Sequence, residues 1–452
     1  MTITRSSSLV VGGILALSSM FGSTAADSNC PTINSIAYCS PAADTLGYAN
    51  VGYSGSYQQV TGMDKDSCTC TYSTKQFSGP GAPLSEPLSL HFRGPLSLKQ
   101  FAFYSADNKK SKRSEEHLRR HAHGHKHRRV AEADYDYDIV TEHTTVWSTV
   151  EVEGTGSPHP SDVKNKGKNK NHDSSPAASS PTSAAPKPSS SSKPNPPDLS
   201  SAGTFKRQAY YNSKQGVSEG LVFLNHRGGQ GSGDFDMACL GQSISYASKD
   251  ATTGSAGPVT LGDVTIASDD EFIIYSDQKC QGNDCGYFRP GIPAYHGFDG
   301  DIRVFAFEFI MPEDKGDSGG KGAYNIPAIW ALNAQIARVA QYGIKSGPCS
   351  CWPKCGEFDI FEALPGNPAA GQSAVNMMKS HIHCAQGGEY GGGGNQGYFD
   401  RPLDNTIKVA AILLGENIYI TKLPDNTNFD ETLSDDVIAN AKKTKSLFQL
   451  PN

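Results

Sequence analysis

The chain has 452 residues, with 27 prolines, 47 glycines, 19% charged residues and a formal net charge of -6. That length allows two or three domains, and so much proline and glycine excludes a predominantly helical protein. No stretch of about 18 uncharged apolar residues occurs after the N-terminal segment, which excludes an ordinary membrane-spanning helix there.

Taken in chain order, residues 1–26 carry Arg5, the apolar run Leu9 to Phe21 and the small residues Ser23-Thr24-Ala25-Ala26. This is the pattern of a secretory signal peptide, so the mature chain is expected to be secreted. In an exported chain, cysteines are expected to form disulfides. Four cysteines precede residue 71 and seven follow from Cys239, so each half is expected to be stapled separately. Seven is odd, which leaves one of Cys239, Cys280, Cys285, Cys349, Cys351, Cys355 and Cys384 free or paired outside its domain. A zinc site on Cys349, Cys351 and Cys355 lacks a second matched ligand pair, so no metal is expected.

Residues 27–105 read as a small disulfide-stapled N-terminal β domain holding Cys30, Cys39, Cys68 and Cys70. Leu88 to Phe92 and Leu96 to Leu98 alternate apolar and polar positions as strands, with Arg93-Gly94-Pro95 as the turn between them. No chemistry is evident in this segment, and wall binding or support of folding is its expected role. Residues 106–207 read as a disordered linker, first basic and His-rich, then Ser/Pro-rich. The basic run from Asp107 to Arg129 lacks aromatic residues that would stack on bases, so no nucleic-acid partner is expected. Within the linker the island Thr144 to Val152 is the exception, where a transient strand is expected. Lys112-Arg113, Arg119-Arg120, Arg128-Arg129 and Lys206-Arg207 are exposed dibasic pairs, and the last, where globular composition resumes, reads as a processing site.

Residues 208–452 are mainly β. Strands are expected at Phe272 to Tyr275, Ile302 to Ile310, Val375 to His383, Ile407 to Leu414 and Ile418 to Leu423, and short helices at Ala334 to Tyr342 and Ser434 to Leu447. Many strands and few helices indicate a jelly-roll β-sandwich. Within it, Glu357-Phe358-Asp359-Ile360-Phe361-Glu362 interleaves acids with apolar residues. Strict alternation places Glu357 and Asp359 on one face, but Glu362 follows Glu357 by an odd offset and falls on the other. A bulge near Ile360 and Phe361 brings it back, and bulges are enriched beside active sites. The two glutamates are then four strand positions apart, roughly 13 Å between Cα atoms. Glycosidic cleavage uses a pair of carboxyl groups as nucleophile and proton donor, or as base and donor.

Two tryptophans accompany the acids: Trp330 in Pro327-Ala328-Ile329-Trp330, and Trp352 in Cys351-Trp352-Pro353. With the acidic hexapeptide they resemble the laminarinase-type members of glycoside hydrolase family 16. The two-part layout around a Ser-rich linker is similar to the fungal cell-wall family described as circularly permuted β-1,3-glucanases. The resemblance implies a concanavalin-like jelly roll in which Glu357 is the nucleophile, Glu362 the acid/base and Asp359 the residue between them. It further implies a retaining endo-β-1,3-glucanase of the cell wall, a monomer that acts on wall β-glucan without a cofactor. Trp330, Trp352 and His383 are the candidate substrate-binding residues. A glucan transglycosylase and a non-catalytic glucan-binding wall glycoprotein remain alternatives.

Overall fold

The computed structural model describes residues 32–33, 36–38, 42–106, 205–316, 323–344, 349–366, 375–387 and 391–451. The expected signal peptide, the linker body, the Thr144 to Val152 island and three of the four dibasic pairs lie outside them. The longer elements before the linker are β1 (Thr45–Ala49), β2 (Gly55–Asp64), β3 (Thr69–Phe77), β4 (Leu88–Arg93) and β5 (Ser97–Ala106). After it come β6 (Phe205–Asn212), β7 (Leu221–Asn225), β8 (Leu240–Gln242), β9 (Ser245–Ala247), β10 (Glu271–Ser276), β11 (Ile302–Ile310) and β12 (Ala328–Asn333). Then follow α1 (Ala334–Val339), β13 (Tyr342–Ile344), β14 (Glu357–Ala363), β15 (Met377–His383), β16 (Ile407–Leu414), β17 (Asn417–Lys422), α2 (Asp436–Ala441) and β18 (Ser446–Gln449).

Phenylalanine on alternate positions of β11 explains the layering. Phe305, Phe307 and Phe309 point into one buried cluster with Leu90, Phe92, Phe358, Ile360 and Phe361, while Ile302, Val304 and Ala306 point into a second cluster behind the sheet. Burying each such ring contributes about 1.5 to 3 kcal/mol. Two large sheets enclose the first cluster. One runs β9-β7-β10-β4-β12-β14-β15, and the other β6-β5-β11-β16-β17-β1-β18. This is the expected β-sandwich. The C-terminal helix is shorter than expected, because β18 pairs in parallel with β1 and takes Ser446–Gln449 into the sheet.

The N-terminal segment does not fold as a separate module. β4 is hydrogen-bonded between β10 and β12, β5 between β6 and β11, and β1 between β17 and β18, so the described strands on both sides of the linker form one unit. Nor is Arg93-Gly94-Pro95 a hairpin turn. The chain crosses there from one sheet to the other, and a Cβ on Gly94 would lie 2.0 Å from the Ala267 carbonyl oxygen, which explains why glycine stands at the crossing. The disulfides cross the linker as well. Cys68 pairs with Cys239 and Cys70 with Cys349, while Cys280–Cys285 and Cys351–Cys355 are local. Cys384 is the buried free thiol among the described residues, and Cys30 and Cys39 lie outside them.

Ala106 at the end of β5 pairs directly with Phe205 at the start of β6, so residues 107–204 leave and re-enter the sheet at one point. Lys206 and Arg207 lie inside β6, paired to Ser105 and Tyr104, and Arg207 donates to the Phe429 carbonyl. That pair is built into a ladder rather than offered as an exposed processing site. A cut between residues 107 and 204 is therefore expected to leave one covalent unit. Non-reducing electrophoresis of the nicked protein should show one band and reducing electrophoresis two. Fragments that part without reductant would contradict the two long-range bridges.

Candidate active site

The acidic strand enters from a constrained turn. Cys355 closes a disulfide with Cys351, and Gly356 follows at φ +94°, where a side chain would press on Leu84. Only glycine adopts that conformation at low cost. Along β14, Phe358 and then both Ile360 and Phe361 point into the core, as an extra residue between them requires.

The pairing registers locate that extra residue. Against β15, Asp359 pairs with His381 and Glu362 with Lys379, so two residues, Ile360 and Phe361, stand opposite the single Ser380. Against β12, Asp359 pairs with Trp330, Phe361 with Ile329 and Glu362 with Ala328, so Ile360 is skipped. The bulge lies where the acid spacing demands it, and Glu357, Asp359 and Glu362 share one face. A bulge breaks the ladder and strands a backbone group. Here the buried Ser380 hydroxyl donates to the Asp359 carbonyl at 2.8 Å, and the buried Tyr48 hydroxyl donates to Ser380 at 2.9 Å. This core relay holds the bulge from below. Sequence reading missed it because neither residue belongs to the motif.

Each acid has its own partner. The Trp352 indole N–H donates to Glu357, His383 Nε2 lies 3.0 Å from Asp359 Oδ2, and an Arg93 guanidinium nitrogen lies 3.2 Å from Glu362 Oε1. Oxygens of Glu357 and Asp359 and a nitrogen of His383 fall within 4.8 Å of one another. Burial pushes the carboxyls of Glu357 and Glu362 up, and the Asp359 charge adds to both. Trp352 and His383 temper the shift at Glu357, and Arg93 tempers it at Glu362. Three carboxylates face two cations, Arg93 and His383, so one shared proton makes the cluster neutral.

Burial opposes the charge on His383, but its hydrogen bond to Asp359 and the surrounding carboxylates lift it to about 9. Its neighbour His381, with ring centroids 4.3 Å apart, is pushed down to about 4 by burial and by that charge. His383 thus holds a proton in the folded chain between 6.5 and about 9 that the unfolded chain releases. The resulting stabilisation is complete below about 6.5 and fades as pH rises through 9. Wild type is expected to lose more stability between pH 7 and 10 than His383→Gln, read from denaturant midpoints. Parallel curves would remove the imidazolium–Asp359 pair.

The two tryptophans differ. Trp352 is 40% exposed with its indole N–H on Glu357, whereas Trp330 is 5% exposed. Trp330 stacks on the buried His91 at 5.1 Å and lies under Arg93 at 5.9 Å, packed into the acid face rather than open as a platform. Arg93, read from the sequence as a turn residue, is the main omission. It ends β4, and its Nε also donates to the Ile326 carbonyl at 3.0 Å. Its signal was weak, since a lone arginine before Gly-Pro reads as a turn.

The fold and site define a two-sheet β-sandwich with a bulged strand that presents three acids, a histidine and an arginine on one face. The chain belongs to the cell wall protein YJL171C/Tos1 family, whose C-terminal model matches residues 203–441 and whose N-terminal model matches residues 44–106. It is 38% identical over 430 residues to the "Probable circularly permuted 1,3-beta-glucanase TOS1" of Saccharomyces cerevisiae, covering 89% of this chain and 90% of the relative. The Candida albicans protein of the same name is 37% identical, with the same coverage. A Schizosaccharomyces pombe relative, also named a probable circularly permuted 1,3-beta-glucanase, is 36% identical over 94% of this chain and 95% of its own length. No solved structure matches. Among the described residues no helix is long and apolar enough to cross a membrane.

Proposed function

We propose that this protein is a secreted endo-β-1,3-glucanase of the cell wall, acting by a retaining double displacement in which Glu357 attacks the anomeric carbon. Glu362 protonates the departing oxygen and then, as a carboxylate, draws a proton from the water that releases the sugar. The observation that carries this reading is the bulge that brings Glu362 onto the face of Glu357 and Asp359. The names of the relatives support the linkage, and the disulfides suit an exported protein.

The partners suit these roles. The Trp352 N–H donates to Glu357 and offsets part of the burial and Asp359 charge that push this carboxyl up to about 8. Asp359, bonded to His383, raises the affinity of Glu362 for a proton. Arg93 steadies the Glu362 carboxylate once the proton has gone. The side chain of Glu362 is 30% exposed, which leaves it open to the leaving group and to water.

Incubating the purified protein with laminarin and measuring new reducing ends tests the reading. New reducing ends and shorter oligomers are expected. With an added oligosaccharide acceptor, products longer than the substrate would instead show transfer, and glucan binding without either product would show a binder.

A further inference from the structure

Few large apolar side chains are exposed on the described surface, and two of the aromatic ones, Trp352 and Tyr342, lie on the acid face. Trp352 belongs to the site described above; Tyr342 has no role in it. The Tyr342 hydroxyl donates to Glu271, 3.0 Å from Oε2 and 3.2 Å from Oε1. Glu271 opens β10 directly opposite Arg93, whose guanidinium meets Glu362, so cross-strand neighbours place Glu271 on the same face as the acids. His226 packs edgewise on the Tyr342 ring at 5.1 Å and is itself fixed by the Ser243 carbonyl at 2.7 Å and Gln341 Oε1 at 3.0 Å.

The ring is thus held at its hydroxyl and by a fixed histidine, yet remains 39% exposed. A rigid aromatic face of this kind suits the C–H face of a pyranose, with polar groups beside it for the hydroxyls. β10 is three strands from β14, about 14 Å at the usual spacing. The acids that Tyr342 and Trp352 bond, Glu271 and Glu357, thus stand on strands about 14 Å apart, a span longer than one pyranose ring.

We propose that Tyr342 is the stacking platform of a second glucosyl subsite, at the opposite end of the acid face from Trp352, with Glu271 and Arg93 bonding hydroxyls of the sugar seated there. The ligand is an extended β-linked glucan chain, and the assignment of its chemistry rests on the glucanase reading. Burial pushes the Glu271 carboxyl up to about 7.

The test is calorimetric binding of β-1,3-linked glucose trimers and hexamers to Glu357→Gln protein, with and without a change at Tyr342. Tyr342→Ala is expected to weaken the hexamer about tenfold and the trimer less than twofold, while Tyr342→Phe stays within about threefold of the parent for both. Tyr342→Leu repeats the test with the apolar volume kept, should the alanine variant fail to accumulate. Unchanged hexamer affinity in Tyr342→Ala and Tyr342→Leu overturns the subsite. A wild-type protein that produces no reducing ends, paired with a tenfold loss of hexamer binding at Tyr342→Ala, overturns the hydrolase reading and sustains the subsite.

Discussion

Glu357→Gln is expected to lower turnover of β-1,3-glucan about ten-thousand-fold or more while leaving the fold at least as stable as wild type. The first half follows from chemistry: the amide has no charge with which to attack the anomeric carbon, and losing a nucleophile costs nearly all of the covalent pathway. The second half follows from burial. The Glu357 carboxyl is held above its ordinary range because burial and the Asp359 charge penalise ionisation, so at neutral pH it costs the folded chain stability. Glutamine is nearly isosteric, still accepts the Trp352 hydrogen bond through its amide oxygen, and takes one ionisable carboxyl out of a crowded set of three. Loss of activity with an equal or higher denaturant midpoint is the signature of a catalytic group. Turnover at the wild-type rate would end the nucleophile assignment, and a lowered midpoint would contradict the burial argument.

The acid row was legible because its chemistry and its irregularity are both local. Glu357, Asp359 and Glu362 lie within one strand, and the mismatch between their spacing and the two-residue period of a sheet located the bulge before any pairing was known. Ile302–Ile310 and Ile407–Leu414 were legible for the same reason, as long runs of β-formers. Partners across strands were not. Arg93 and Glu362 are 269 residues apart in sequence, and period-2 alternation tells which way a side chain faces but not which strand lies beside it. The same limit hid Glu271 and Tyr342. It also made residues 27–105 look independent, since composition breaks at the linker while hydrogen bonding does not: Ala106 and Phe205 are ladder partners. Cysteine counting shared the fault, because splitting the set at the linker assumed that no bridge crosses it, and Cys68–Cys239 and Cys70–Cys349 both do.

Glu362→Gln separates the two glutamates by what each step of the reaction needs. On glucan the leaving group is a sugar alkoxide that must be protonated as it departs, and the following water must be deprotonated, so both steps suffer and turnover is expected to fall about 10²- to 10⁴-fold. A β-1,3-linked glucose oligomer carrying a dinitrophenyl leaving group needs no proton to depart. With that substrate the first step of Glu362→Gln should run near the wild-type rate, and only the second should be slow. The expected record is a burst of dinitrophenol, stoichiometric with enzyme, followed by a slow steady state, together with a protein mass increased by one glycosyl chain. Glu357→Gln should give no burst with either substrate. If Glu357→Gln shows the burst instead, the roles are exchanged, and the Arg93–Glu362 pair would then be holding an ionised nucleophile rather than steadying a spent acid. If neither variant accumulates the adduct while both lose activity, the reaction proceeds without a covalent intermediate, one carboxyl activating water while the other protonates the departing oxygen.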